Sequence, residues 1–331
     1  MSTNSSSLIF PLYPVRVNGR FGYIDRLGKM RITPQYTYGG KFREGLAEVK
    51  VGDTRAFIDC YGEVHAEFIC QSSGILSEGV CPVSVIENGK EVFGLIDVSG
   101  KIVVKPRFDF CGTFRNGLCS ITLKSKQGFI DKSGEFRISP KFDFCWDFQR
   151  GQTYTTMRKA HLWYIGSLTG GVSLLKRVQN ARGVAEGVIP VVKDSTWQFI
   201  ACDGSSLDFG FFESTGHCFH EGMIGVKNNG KWGAIGIDGS EKVPCCYHKI
   251  DNYCEGFAPV AVEISSSQKS DRKKKWGYVD KSGTLVIEPK YDYVFDFCSG
   301  VAEFWVGDPE NLDYESGYID IKGSVIWGPS K

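Results

Sequence analysis

Six soft metal donors crowd one stretch of the chain. His217, Cys218 and His220 stand in HCFH, and Cys245, Cys246 and His248 in CCYH about 28 residues later. Thiolate and imidazole are the ligands zinc takes. The spacing matches no standard finger, so buried cysteines with surface histidines are the competing reading. A second chemical set is carboxylate: Asp25, Asp59, Asp97, Asp131, Asp280 and Asp320. A catalytic pair of carboxylates needs two unlike environments at one site. One Asp returning at the same turn position reads instead as a hairpin device. A third set is cationic. Arg272, Lys273, Lys274 and Lys275 end the insertion ISSSQKSDRKKK at 264–275, the one dense basic run. It reads as a projecting solvated loop, or as a docking point for an acidic partner or phosphate-rich ligand.

The elements that would position these residues come from a repeat. An aromatic-Gly pair recurs as Phe21-Gly22, Phe93-Gly94, Trp232-Gly233 and Trp276-Gly277. Six residues after each glycine stands another, at Gly28, Gly100, Gly239 and Gly283. Gln127-Gly128 and Ser316-Gly317 keep that spacing without the aromatic. The six aspartates sit three residues after the first glycine position, and Pro34, Pro106, Pro140, Pro289 and Pro329 sit six after the second. A further glycine ends each full copy, and three residues before it the chain is apolar in all eight: Phe42, Leu76, Phe114, Phe148, Val184, Phe219, Tyr253 and Phe297. This gives nine units of 34 to 44 residues.

Within a unit the pattern is that of strands. Trp276, Tyr278 and Asp280 alternate with Gly277 and Val279, the period of a half-buried strand. DKSG at 280–283 reads as a hairpin loop, with Gly283 taking positive φ and Asp280 bonding the turn amides. Pro289 marks a strand end or edge. KYDYVFDFCSG then reads as a compact connection with Phe297 as an apolar plug. The Trp/Phe-Gly pair reads as packing between units, its glycine allowing close approach. Each unit is thus expected to be a three-stranded meander too small to bury its own core, so neighbours must stack. The phasing leaves no split unit, which favours an open, all-β solenoid or superhelical array. A closed toroid or β-propeller is the alternative. Residues 1–13 read as a tail or cap, and 14–331 as one repeat domain.

KWGYVDKSGTLVIEPKYDYVFDFCSGVAEF resembles the WG-repeat family (WG-containing β repeat), found mostly in bacterial proteins. The resemblance runs over residues 14–329, strong in copies 1, 3, 4 and 8 and weak in 5 and 6. It implies a binding or scaffolding protein and brings no shared catalytic residues.

Copies 5 to 7 depart most from the pattern. Ala201 and Gly236 replace the Asp, and His161, Trp163, Tyr164, Arg177 and Arg182 appear. Consensus residues hold a repeat scaffold and departures decorate a face, so these residues form the candidate binding surface, with simple degeneration as the equal alternative. No GxSxG, HExxH, Walker A, dinucleotide or EF-hand motif is present, which argues against the commonest enzyme classes but not against glycosidases.

The net charge of +1 makes neither nucleic acid nor an anionic membrane the default partner. No apolar run approaches the ~18 residues of a spanning helix. The first residues lack a basic n-region, so no signal peptide is expected. The twelve cysteines without CxxC favour free thiols in a reducing compartment. The expectation is a cytoplasmic protein, or one exported without a classical signal, that needs no cofactor. The oligomeric state stays open. The leading function is a non-enzymatic scaffold for another protein. A carbohydrate or small-ligand binder is the second reading, and a hydrolase with its site in units 5–7 the third.

Overall fold

A computed structural model describes residues 11–264, 273–308 and 313–330. Among them every regular element is a strand, arranged in nine small antiparallel sheets in chain order. Seven have four strands and two have three. The eighth shows the plan: a two-residue strand, Lys249–Ile250, then Phe257–Ile264, Lys273–Asp280 and Leu285–Tyr291. The three long strands are the expected meander. The two-residue opening strand is not, and it corrects the reading of KYDYVFDFCSG as a plain connection. Tyr293–Val294 within that stretch pairs with Trp305 and Phe304 of the ninth sheet. Two residues are too few for a period to show.

Turn chemistry sets the meander. Asn18-Gly19, Asn88-Gly89 and Asn229-Gly230 join the first two long strands with positive φ at both residues, the turn whose twist suits a hairpin. At the next hairpin, Asp280 Oδ1 accepts the amides of Ser282 and Thr284, both at 2.9 Å, and the Ser282 hydroxyl at 2.6 Å. The hairpin reading of the aspartates therefore holds here in full.

The two glycines of the repeat divide the work differently from expectation. The Trp276-Gly277 glycine makes its close approach inside its own sheet. Trp276 pairs with Tyr291 and Tyr278 with Ile287, so Gly277 alone faces residues 288–290, a bulge at Pro289. A Cβ on Gly277 would overlap the Ile287 carbonyl oxygen and lie 2.8 Å from Pro289 N. Gly22, Gly94 and Gly128 face Pro34, Pro106 and Pro140 with the proline nitrogen at 2.7 Å. The aromatic of the pair does reach the next sheet: Phe21 meets Tyr38, Phe93 meets Phe110 and Trp276 meets Tyr293. Contact between sheets through glycine falls to the turn glycine. A Cβ on Gly134 would lie 3.1 Å from Val104, and one on Gly283 would lie 2.8 Å from the Lys242 oxygen, each in the preceding sheet.

The chain divides into two compact units, Met1–Asp25 with Lys29–Val184, and Arg26–Gly28 with Ala185–Lys331. The expected open solenoid is corrected by the second. Its sheets are blades of β-propeller type, and the first-copy turn at Arg26–Gly28 belongs with the last sheet. A Cβ on Gly28 would overlap the Ile326 oxygen, the relation Gly283 has to Lys242. The core is a series of aromatic plugs between neighbouring sheets. Phe297 is 1% exposed and meets Tyr278 at 4.7 Å. Phe148 meets Phe129, and Phe42 meets Tyr23, both at 5.0 Å. Burying one such ring stabilises by about 2–3 kcal/mol, so the plugs carry much of the stacking energy.

Candidate binding surfaces

The proposed metal donors do not converge. Cys218 is buried, with Cys245 against the same apolar cluster, while Cys246 and His217 are exposed. Strand alternation sends Cys245 and Cys246 to opposite faces. The Cys218 thiol lies 3.3 Å from His220 Nε2, and Cys245 donates to the Val226 carbonyl at 3.7 Å. His248 pairs with Glu263 at 2.9 Å, and its pKa is lowered by burial and by Lys274. Among the described residues no three His, Cys, Asp or Glu stand close enough to hold a metal ion.

The residues picked from units 5–7 are also dispersed. Trp163 is buried at 4% exposure, 6.4 Å from Phe144 with the Arg158 guanidinium at 6.0 Å from its ring. Tyr164 packs edge-on to Phe142 at 5.7 Å. Both are packing residues rather than a displayed face. His161 and Arg177 are exposed. Arg182 is half-buried, which lowers its pKa, and its carbonyl accepts the Thr156 hydroxyl at 2.5 Å.

Of the basic run, Arg272 lies outside the described residues. Lys273, Lys274 and Lys275 do not project in a loop: they continue the strand, paired with Ile264, Glu263 and Val262. Lys275 makes an ion pair with Asp292 at 2.7 Å, and Lys274 is exposed.

Two further arrangements match no sequence motif. One is aromatic. Tyr293, Phe295, Trp305 and Tyr314 are all half-buried and in mutual contact. Trp305 stacks on Tyr314 at 4.2 Å and meets Phe295 edge-on at 4.9 Å, and Phe295 meets Tyr293 at 5.1 Å. The indole N–H of Trp305 donates to Glu303 at 2.9 Å. The sequence signal was only a local density of aromatics in copy 9.

The other is a chain of carboxylates. In Glu44-Gly45, Glu78-Gly79, Glu221-Gly222 and Glu255-Gly256 both residues have positive φ, so two successive amides point the same way, a nest for an anion. The side chain of each such turn fills the nest of the next. Glu44 accepts from Glu78 N at 2.6 Å and Gly79 N at 2.8 Å. Glu221 accepts from Glu255 N at 2.7 Å and Gly256 N at 2.9 Å. Glu255 accepts from Ser299 N and from Gly300 N at 2.7 Å. Glu78 serves Gly117, Asn116 serves Gly151 and Glu186 serves Gly222. Burial works against the charge of Glu221, yet the Gly256 amide, Lys281 and the Glu255 amide hold its pKa below the usual carboxylate value. The signal lay in the residue before the terminal glycine, which is Glu in five copies.

The profile of the family described as WG containing repeat matches residues 21–54, 93–126, 128–159, 212–232 and 276–304. The chain is a WG-repeat protein. No curated protein sequence matches it. Among solved structures this WG-repeat chain is similar to the tricorn protease, at 8% identity and TM-score 0.36, with 90% of this chain and 36% of that one covered. It thus spans about a third of that protease's length. It is similar to Hsv2p of Kluyveromyces lactis at 10% identity and TM-score 0.41, covering 81% and 93% of the two chains. For PorZ of the type-IX secretion system of Porphyromonas gingivalis the figures are 9%, 0.32, 97% and 51%.

Proposed function

We propose that this WG-repeat protein is a non-enzymatic scaffold that binds another protein through displayed side chains of its blades. The carrying observation is the half-buried group Tyr293, Phe295, Trp305 and Tyr314. Aromatic residues of this kind anchor protein interfaces because they offer large area at low entropic cost. The repeated carboxylates, the residues best suited to acid/base work, are already engaged by backbone amides, as at Asp97, Asp131 and Asp280. Trp305→Ala tests the reading in a native-extract capture, with chemical cross-linking to the purified chain. A partner held by the parent chain and lost by Trp305→Ala supports it. A parent chain that retains nothing, or a partner indifferent to Trp305→Ala, overturns it.

A carbohydrate-binding reading rests on the same rings, since a sugar face stacks on indole and phenol. A glycan array that shows no binding by the parent chain removes it.

A further inference from the structure

We propose that the amide pair of Glu44 and Gly45 is an open carboxylate-binding site, built to take a Glu or Asp side chain from an acidic segment of a partner protein. The proposal rests on the protein-binding reading and names a second place on the chain where a partner engages.

The chemistry of the site is shown by its sister turns. Five turns with positive φ at both residues have amides that donate to a carboxylate of the preceding copy, and the Gly151 amide, in a turn with positive φ at the glycine alone, donates to the amide oxygen of Asn116. Glu44 and Gly45 have the same backbone, φ 52° and 86°. Their amides meet no acceptor among the described residues. By register, Tyr13 pairs with Ile24 as Ala47 pairs with Ile58, so the copy-1 position aligned with Glu44 is residue 10, outside the described residues. Among the described residues the chain of carboxylates begins with a nest that no side chain fills.

Two further features favour an anion there. The side chain of Arg43, next to the turn, is exposed and meets no carboxylate among the described residues. The Glu44 carboxylate is itself held by Glu78 N and Gly79 N, which fixes the turn and removes its negative charge from the amides it carries. Glu186 and Gly187 have the same backbone, φ 52° and 79°, and their amides too meet no acceptor among the described residues. A preorganised pair of amides with an adjacent guanidinium suits a two-oxygen anion, as the three bidentate sister turns show.

Amide resonances of the isotope-labelled full chain, titrated with sodium acetate against sodium chloride at equal ionic strength, test the site. The Gly45 and Gly187 amides are expected to shift saturably with acetate, while Gly79, Gly256 and Gly300 stay still because they are filled. Glu255→Ala should empty the nest at Ser299 and Gly300 and make Gly300 respond. Arg43→Glu should weaken the Gly45 response roughly fivefold, the size of one surface charge interaction, and leave Gly187 unchanged. A Gly45 amide that acetate does not move, or filled nests that move equally, overturns the site. A second arm uses the peptide acetyl-Gly-Glu-Gly-Glu-Gly-amide and its Gln counterpart. Response to the Glu peptide alone supports a protein source. Response to acetate but to neither peptide overturns that source. The outcome with Trp305→Ala is independent of both arms.

Discussion

Gly277 and Gly204 separate two reasons for a glycine. Gly204 has φ 88° and nothing within 4 Å of where an added methyl would stand, so Gly204→Ala carries only the left-handed backbone penalty, about 1–2 kcal/mol. Gly277 lies opposite the bulge at Pro289, where a Cβ has no room beside backbone atoms that cannot step aside. Gly277→Ala should cost about 2–4 kcal/mol, combining overpacking with a distorted ladder. Urea unfolding of the two variants checks this, and equal losses would show that the bulge yields. The carboxylate of Asp131 is a comparable case among polar residues. It accepts Ser133 N at 2.9 Å and Glu135 N at 3.1 Å, and its other oxygen accepts Arg137 Nε at 2.9 Å. Asp131→Ala removes these together and is expected to lower stability by about 1–2 kcal/mol. The same urea series measures it.

At the level of the element, the blade is decided by hairpin chemistry and the contacts between blades by what the hairpins present. The Asn-Gly turns and the Asp-x-x-Gly turns were legible because each is a local demand on φ or on an amide. The strands of 257–264 and 273–280 were legible in kind but not in length. Their register runs out to Ile264 and Lys273, so three of the lysines placed in a loop belong to the end of a paired strand. Charge in the sequence does not say whether a segment leaves the ladder, since the exposed end of a strand tolerates lysine as well as a loop does. Thiol chemistry follows from strand faces in the same way. Cys246 and Cys298 are exposed, while Cys81, Cys111, Cys119, Cys145 and Cys218 are buried. Burial pushes the Cys81 thiol up to about 12 and the Cys70 thiol to about 11, which suppresses the reactive thiolate. An aromatic disulfide reagent near neutral pH should therefore label Cys246 and Cys298 in a fast phase, with the buried thiols reacting on unfolding. Fast labelling of Cys81 would contradict the packing.

Across the whole chain the turn carboxylates act together on stability. Asp97, Asp203, Asp238 and Asp280 have pKa values lowered first by hydrogen bonds from Ser99, Ser205, Ser240 and Ser282. Asp238 falls from 3.8 to about 2. A folded-state pKa below the unfolded value means the charged form is favoured by folding. The stabilisation is then complete above about 3.8 and lost as the pH falls through about 2, because the unfolded chain takes up protons first. The thermal midpoint should hold between pH 7 and 5 and drop steeply below pH 4. A midpoint that does not move on acidification would show the turn bonds to be irrelevant to folding.

The sequence by itself determined the all-β class, the number of copies, the three long strands of each and the hairpins, because each rests on a period or on a residue that one backbone conformation requires. It also carried the family resemblance through the same residues. What only the tertiary structure decided was which neighbour each repeated residue meets. Gly277 turned out to face its own sheet and Gly283 the preceding one. Trp163 and Tyr164 went into packing, and the six zinc-type donors were parted by strand alternation and by the partners they found. The Glu of each terminal turn was found in the nest of the following copy, and the Glu44–Gly45 and Glu186–Gly187 amides meet no acceptor among the described residues. Spacing along a chain fixes local geometry, whereas contacts between residues some 34 positions apart, such as Glu44 and Glu78, depend on how one sheet is stacked on another.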